Sequence, residues 1–160
     1  MYNNTEKRLV HKLIKEKKTV SVAESCTSGL IASMIGNIPG ASEIFNESYV
    51  TYSNESKMKL LGVKEETLAL YGAVSHQTAI EMAEGVREAS GCDIAISVTG
   101  IAGPGGGTDE KPVGLVYIGI STKDKARAYK HIFKGCRNKV RYKTAKTALK
   151  YAISVLKEEK

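Results

Sequence analysis

The stretch Ala23-Glu24-Ser25-Cys26-Thr27-Ser28-Gly29 connects two segments with different hydrophobic patterns. The β-branched residues at 19–22 predict a strand before it, and apolar residues with helical spacing over 30–35 predict a helix after it. A strand that passes into a helix through small hydroxyl residues leaves backbone N–H groups unpaired at the helix start. Such donors favour an anion or a developing oxyanion, so this turn is the first candidate for a functional site.

Two side chains in this turn have the chemistry of a nucleophile, the hydroxyl of Ser25 and the thiol of Cys26. The main-chain N–H groups of Cys26, Thr27 and Ser28 are candidates to bind substrate oxygen. A structural alternative is that Ser25 or Thr27 caps the helix, because hydroxyl side chains are preferred at that position. The local sequence leaves these interpretations open.

Helical and strand patterns alternate along the rest of the chain. Helices are predicted at 4–17, 27–37, 55–61, 64–70, 76–90 and 138–156, and strands at 19–23, 49–52, 93–98, 113–121 and 126–133. This order predicts an α/β fold: a single three-layer domain over residues 1–160, with helices on both faces of a mixed, mostly parallel sheet of five or six strands. An antiparallel hairpin over 113–133 is what makes the predicted sheet mixed.

Composition favours a soluble globular protein of the cytoplasm. Hydrophobic residues make up 42% and charged residues 26% of the 160 positions. No apolar run approaches the roughly 20 residues that span a bilayer, and the start of the chain lacks the apolar core of a signal peptide. The three cysteines form no CxxC pair, which indicates a reducing compartment.

Positive charge is concentrated in the last quarter of the chain. Residues 123–160 contain 13 lysines and arginines against 3 acids, a net charge of +10, whereas the other 122 residues carry 11 against 14, a net charge of −3. Because these cations are spread over a predicted hairpin and a predicted helix, we favour a solvated basic face over a nucleic-acid surface. A phosphate-bearing small molecule is the other partner that such a charge suits.

Three predicted strands end in polar segments: Ser25, the segment 53–57, and the glycine-rich segment 99–107. Ligands bind at the carboxyl ends of strands in open α/β sheets, so we expect these segments to form one cleft. The glycine-rich segment matches neither a phosphate-binding P-loop nor a dinucleotide fingerprint. Its strand end, Thr99 and Gly100, is the better candidate for a ligand contact, and Gly105 to Gly107 are expected at the rim.

Lys57 is predicted in the first turn of a helix, where the helix dipole disfavours a cation. Burial at that place would lower the pKa of its amine and make it a base for a serine hydroxyl. Tyr52, at the preceding strand end, is placed to hydrogen-bond the amine or a leaving group. The structural alternatives are a solvated lysine beside Lys59 and a tyrosine packed on the sheet.

No metal or cofactor is expected. The three histidines, His11, His76 and His131, have no spacing that pairs two of them on one helix face as ligands. A Cys26–histidine nucleophile pair is not supported by the order of these residues. The chemistry of the predicted cleft therefore falls to hydroxyl, amine and backbone groups.

Five segments of the chain, in order, resemble a known family. They are 23–27 (AESCT), 50–57 (VTYSNESK), 72–75 (GAVS), 99–104 (TGIAGP) and 110–114 (EKPVG). The chain resembles the CinA C-terminal domain family over about residues 5–157. Stand-alone members of this family include the PncC-type nicotinamide-nucleotide amidohydrolases.

The resemblance implies hydrolysis of the carboxamide of nicotinamide mononucleotide to nicotinate mononucleotide and ammonia. It implies that Ser25 is the nucleophile and Lys57 the base, and Tyr52 matches the same motif. The larger CinA proteins add a domain linked to nucleotide pyrophosphatase chemistry, and that activity is not expected here. The expected partner is a mononucleotide, with no membrane, and we allow for a homo-oligomer. The alternative function is a non-catalytic nucleotide-binding module.

Two segments depart from the family pattern. Many relatives have Thr-Gly-Gly where this chain has Thr27-Ser28-Gly29, which implies a narrower pocket wall. Many also have Ser-Gly-Asp-Arg where this chain has Lys134-Gly135-Cys136-Arg137. The acid of that loop is lost, whereas Arg137 is retained and is a candidate to bind the substrate phosphate.

Overall fold

The sheet is organised around its first strand, which pairs with a neighbour on each side. The computed structural model of the protein describes residues 4–158. The strands are β1 Val20–Glu24, β2 Phe45–Val50, β3 Ile94–Gly100, β4 Leu115–Thr122 and β5 Ala126–Ile132. The helices are α1 Thr5–Glu16, α2 Leu30–Gly36, α3 Asn54–Leu61, α4 Glu65–Tyr71, α5 His76–Ser90 and α6 Arg137–Glu158. Residues 1–3 and 159–160, which the predicted domain included, lie outside the described residues.

The strand order is β2-β1-β3-β4-β5. Strand β1 is parallel to both β2 and β3, whereas β4 is antiparallel to β3 and to β5. Among the five described strands, β4 alone therefore runs in the opposite direction. The prediction of a mixed, mostly parallel sheet in an α/β domain is confirmed.

Alternation along the central strands separates the two faces of the sheet. Val20, Val22 and Ile96 belong to a large apolar cluster with α1, α2 and α6. Ala23 and Ala95, at the intervening positions, belong to a second cluster with α3 and α5. Side chains of successive strand residues point to opposite faces, so one sheet can bury both surfaces. The predicted three-layer arrangement is confirmed.

Small residues let α5 lie close to the second face. Ser97 of β3 donates a hydrogen bond to the main-chain oxygen of Ala79 in α5 at 2.5 Å. A Cβ atom on Gly119 of β4 would lie 2.4 Å from the same oxygen. Gly85 of α5 has the same role toward α3, because a Cβ atom there would lie 1.9 Å from the main-chain oxygen of Leu61. The helix that carries Lys57 is thereby held against α5.

Two elements start more than two residues away from the predicted position. Helix α2 begins at Leu30 instead of Thr27, and its N-cap is Gly29, in a left-handed conformation, so the structural alternative of a cap at Ser25 or Thr27 is not the one observed. Strand β2 spans 45–50 instead of 49–52. Strand β2 lies at the edge of the sheet, and most of its residues are exposed to solvent. Its first residues can therefore be polar, and they do not show the apolar pattern by which a strand is predicted. Among the described residues, no helix has the length and hydropathy needed to cross a membrane.

We expect Gly85→Ala to destabilise the protein. Alanine is normally favoured over glycine inside a helix by about 1 kcal/mol, but here its methyl group would collide with α3. Overpacking of this kind costs about 1–3 kcal/mol. Denaturant unfolding should show this loss, with Gly36→Ala of α2 as the control, because a Cβ atom at Gly36 meets open space. Equal stability of the two variants would contradict the close contact.

Candidate active site

Ser25 lies where the carboxyl ends of three strands meet. Its N–H donates to the main-chain oxygen of Val98 in β3 at 3.1 Å. The N–H of Thr51, just beyond β2, donates to the main-chain oxygen of Glu24 at 2.9 Å. These bonds continue the parallel pairing of β1 with β2 and β3 past the carboxyl end of β1. The position of Ser25 is therefore set by the neighbouring strands on both sides. The carboxyl ends of strands are the usual place for ligand sites in such sheets.

The amine of Lys57 reaches Ser25 from helix α3. Ser53 caps this helix by accepting from Ser56 N–H, which fixes the turn that carries Lys57. Although only 1% of Lys57 is exposed, its Nζ lies 3.3 Å from Ser25 Oγ. The same nitrogen donates to the main-chain oxygens of Thr51 at 2.9 Å and Tyr52 at 3.1 Å.

This geometry accommodates the amine in either protonation state. A neutral lysine has two N–H donors and one lone pair, and the two main-chain oxygens account for both donors. In that state the lone pair would face Ser25 Oγ, whereas the protonated amine donates to all three oxygens. Burial lowers the pKa of Lys57 to about 8, and all three of its hydrogen-bond partners are uncharged.

The pKa of the Cys26 thiol is shifted upward, in the opposite direction to the pKa of Lys57. Its side chain is buried, and burial raises its pKa to about 11. A thiol nucleophile reacts as the thiolate, which is scarce at neutral pH when the pKa is raised. Of the two candidate nucleophiles, the geometry favours Ser25, which also has the Lys57 amine 3.3 Å from its hydroxyl oxygen.

The start of α2 differs from the sequence expectation. The carboxylate of Glu24, which is fully buried, accepts from the N–H groups of Gly29 at 3.1 Å, Ile31 at 3.1 Å and Ala32 at 2.8 Å. These donors are therefore occupied by the chain's own anion and are not available to a ligand. The N–H groups of Cys26 and Thr27, one turn earlier, donate to no other residue between 4 and 158. They are therefore unpaired main-chain donors beside Ser25 within the described chain.

Tyr52 and Arg137 lie together at the edge of the site. Arg137, the first residue of α6, donates to the Tyr52 hydroxyl at 3.1 Å and to the main-chain oxygen of Gly103 at 2.9 Å. Arg137 thereby connects the end of β2 to the glycine-rich segment. Tyr52 is 56% exposed, and it contacts Lys57 through its main-chain oxygen and not through its phenol. The expected hydrogen bond from the phenol to the amine is not the one that forms.

Thr99 and Gly100 have structural contacts in this fold. The buried Thr99 hydroxyl donates to the main-chain oxygen of Ala73 at 2.7 Å, which fixes the loop before α5. Gly100 pairs with Val116 of β4, and a Cβ atom on it would lie 2.7 Å from the main-chain oxygen of Leu115. Within the described chain, neither residue hydrogen-bonds Ser25 or Lys57. The hydroxyl proton of Thr99 is therefore used in a hydrogen bond within the fold and not in a bond to a ligand.

Sequence reasoning missed Arg141. Its guanidinium donates to the main-chain oxygens of Cys26 at 3.2 Å and Thr27 at 2.8 Å, and to Ser28 Oγ at 3.1 Å. A usable signal was its position four residues after Arg137, because this spacing places both side chains on one helix face. Ser28 has a φ of 43°, a left-handed conformation uncommon for residues other than glycine. At this position, where the resemblance implies glycine in many relatives, the chain has a serine that Arg141 contacts.

The remaining polar groups do not assemble a metal site. Within residues 4–158, no three side chains of the His, Cys, Asp and Glu types lie close enough to hold a metal ion together. His131 Nε2 lies 2.8 Å from the Tyr151 hydroxyl, and burial lowers the pKa of this histidine. The arrangement at Ser25 therefore consists of a hydroxyl, a buried amine and main-chain donors.

Taken together, the fold and this site define an α/β domain with a buried serine–lysine pair at the carboxyl ends of parallel strands. The sequence matches the CinA C-terminal domain family over residues 2–156. The chain belongs to this family.

Relatives and solved structures agree with this membership. A CinA-like protein of Endomicrobium trichonymphae is 62% identical over 137 residues, which cover 86% of this chain and 32% of that protein. The competence/damage inducible protein CihA of Agrobacterium tumefaciens is 39% identical with a TM-score of 0.89, over 96% of this chain and 97% of that one. A CinA superfamily protein of Klebsiella pneumoniae is 30% identical with a TM-score of 0.93, over 96% of each chain. This chain spans about a third of the length of the curated relatives it matches.

The low pKa of Lys57 makes stability depend on pH. Between pH about 8 and 10.5, the unfolded chain binds more protons than the folded one, so the contribution of Lys57 to the free energy of unfolding rises with pH. Relative to Lys57→Met, the wild type should gain up to about 3 kcal/mol across this interval.

Denaturant titrations at several pH values measure this gain. Lys59→Met is the matched control, because Lys59 is exposed on the same helix, and its difference from the wild type should stay constant with pH. A constant difference for Lys57→Met as well would contradict the lowered pKa.

Proposed function

We propose that this chain is a nicotinamide-nucleotide amidohydrolase, which converts nicotinamide mononucleotide and water to nicotinate mononucleotide and ammonia. The observation that carries the proposal is the buried Lys57 amine, 3.3 Å from Ser25 Oγ, with two main-chain oxygens as its other partners. Amide hydrolysis requires a nucleophile, a base that later acts as an acid, and oxyanion donors. Family membership adds support, since the resemblance implies the same pair of residues.

In the first half of the proposed reaction, Ser25 Oγ attacks the carboxamide carbon while its proton passes to Lys57 Nζ. The carbonyl oxygen becomes an oxyanion, and the N–H groups of Cys26 and Thr27 are its donors. The Lys57 ammonium then gives its proton to the amide nitrogen, the C–N bond breaks, and ammonia leaves. An ester between the nicotinoyl group and Ser25 remains.

In the second half, water attacks the ester carbon and gives a proton to Lys57 Nζ. The bond to Ser25 Oγ breaks as that oxygen receives the proton, and nicotinate mononucleotide is released. The lysine is neutral again at the end, so one amine serves as base and acid in both halves. No step requires a metal or an organic cofactor.

Tyr52 and Arg137 suit the other parts of this substrate. The exposed Tyr52 ring offers a π-face to the cationic pyridinium, and such contacts contribute about 0.5–1 kcal/mol at exposed sites. Arg137 uses two of its five N–H donors on Gly103 and Tyr52, which leaves donors for the phosphate. We assign these two residues to substrate binding in the proposed site.

Ser25→Ala should abolish most turnover. Loss of the nucleophile typically lowers kcat by on the order of 10³-fold or more, whereas Cys26→Ala should retain most activity because its protonated thiol takes no part. Ammonia release from nicotinamide mononucleotide measures both variants, and circular dichroism checks that each is folded. An active Ser25→Ala with an inactive Cys26→Ala would reassign the nucleophile to the thiol. Binding of the nucleotide without turnover by the wild type would favour a non-catalytic module.

Lys57→Arg should be nearly as inactive as Lys57→Met, because arginine keeps its charge and cannot accept the serine proton. In the wild type, kcat/KM should rise with pH through an apparent pKa of about 8, as the amine becomes neutral. Rates measured from pH 6 to 9.5 give this profile, and Lys59→Arg on the exposed side of α3 should reproduce it. Near-normal turnover by Lys57→Arg would mean that Lys57 is an electrostatic contact and not the base.

A further inference from the structure

The turn 25–28, which carries the nucleophile, is held by two charged side chains from opposite ends. The Glu24 carboxylate accepts three N–H groups on the α2 side of the turn. The Arg141 guanidinium donates to two successive main-chain oxygens of the turn and to the Ser28 hydroxyl. Glu24 is fully buried, so its charge is balanced by main-chain donors inside the protein.

We propose that Glu24 and Arg141 are positioning residues that fix the turn 25–28 so that the N–H groups of Cys26 and Thr27 stay available to the oxyanion. This inference rests on the proposed function, since the oxyanion belongs to the proposed reaction. Neither residue touches the reacting atoms. Arg141 acts through the carbonyl groups of the turn, and Glu24 acts through the N–H groups at the start of α2, directly after the turn.

The contacts of Glu24 fix where α2 begins. With Gly29, Ile31 and Ala32 satisfied by the carboxylate, the helix starts after the turn, and the residues before Gly29 keep a non-helical path. If the helix began earlier, at the predicted Thr27, these N–H groups would point along the axis of a helix start instead of following the turn. Charge-assisted bonds to a carboxylate are about twice as strong as neutral ones, which makes Glu24 effective in this role.

The contacts of Arg141 fix the orientation of the peptide units. An N–H group and the carbonyl of the preceding residue lie on opposite edges of one planar peptide unit. The guanidinium holds the carbonyl of Cys26, so it also orients the N–H of Thr27 in the same peptide unit. Its planar fork reaches two oxygens at once, which a lysine ammonium does less well. The bond to Ser28 Oγ supports the residue with the left-handed backbone.

Steady-state kinetics with nicotinamide mononucleotide test the proposal. Arg141→Met should lower kcat on the order of 10- to 100-fold with KM changed by less than about threefold, because the turn is used in the transition state. The pH midpoint near 8 should not move, since the contacts of Lys57 are intact. Lys150→Met, an exposed position on the same helix, is the control and should match the wild type.

Two more variants separate positioning from folding. Arg141→Lys should recover part of kcat, because an ammonium still reaches one main-chain oxygen. Glu24→Gln keeps the side-chain shape but brings an amide NH₂ against the N–H groups, so kcat should again fall with little change in KM. Thermal unfolding shows which variants are folded at the assay temperature. A rise in KM at unchanged kcat, or no change in either, would overturn the proposal.

Hydrogen exchange separates failure of this inference from failure of the proposed function. A wild type that releases no ammonia refutes the amidohydrolase proposal and leaves exchange as the readout. Peptides that cover 24–32 should then exchange at least tenfold faster in Glu24→Gln and Arg141→Met than in the wild type and Lys150→Met. Unchanged exchange in these peptides would show that neither side chain fixes the turn, whatever the activity is.

Discussion

The contact of the buried Lys57 amine with three oxygens is the interaction on which the arrangement of this site depends. Taking an amine out of water is costly, and here three neutral oxygens stand in place of a counter-charge. Two of them are main-chain oxygens just beyond β2, and the third is on the residue after β1. The register between β1 and β2, the cap of α3 by Ser53, and the close approach of α5 at Gly85 must all hold for the amine to keep these partners.

The positive charge of the C-terminal part is used within the molecule more than the sequence suggests. Lys125 and Arg127 of the hairpin contact Glu158 at the end of α6, and Lys146 contacts Glu6 of α1. Arg141 contacts the main chain of the turn 25–28. These contacts place four of the thirteen C-terminal cations against acids or main-chain oxygens of other elements.

Elements with strong local signals could be predicted, and those decided by distant contacts could not. Helix α5 begins after Ser75 and ends before Gly91, as predicted, because a capping serine and a left-handed glycine mark its ends. The start of α2 was missed because Ser25, Thr27 and Gly29 are all acceptable locally. The hydrogen bonds of the Glu24 carboxylate determine which of these residues precedes the helix.

Within the site, the resemblance and the strand-end rule pointed to Ser25 and Lys57, and the structure places their side chains together. The same reasoning overestimated Thr99, whose hydroxyl bonds the loop before α5. It missed Arg141, since its partners lie more than 100 residues away along the chain. Glu24 had a signal that was not used, because its two-residue spacing from Val22 places it on a buried face of the sheet.

The protonated state of Cys26 has a consequence for survival under oxidative stress. Peroxides attack thiolates, and a buried thiol with a pKa of about 11 presents almost none at neutral pH. A serine–lysine centre beside such a thiol has no sulfur that must stay reduced. The exposed Cys136, whose pKa is lowered mainly by the N–H of Lys139, is the more oxidisable sulfur and lies outside the turn. The proposed serine–lysine pair is therefore expected to tolerate conditions that inactivate cysteine-dependent enzymes.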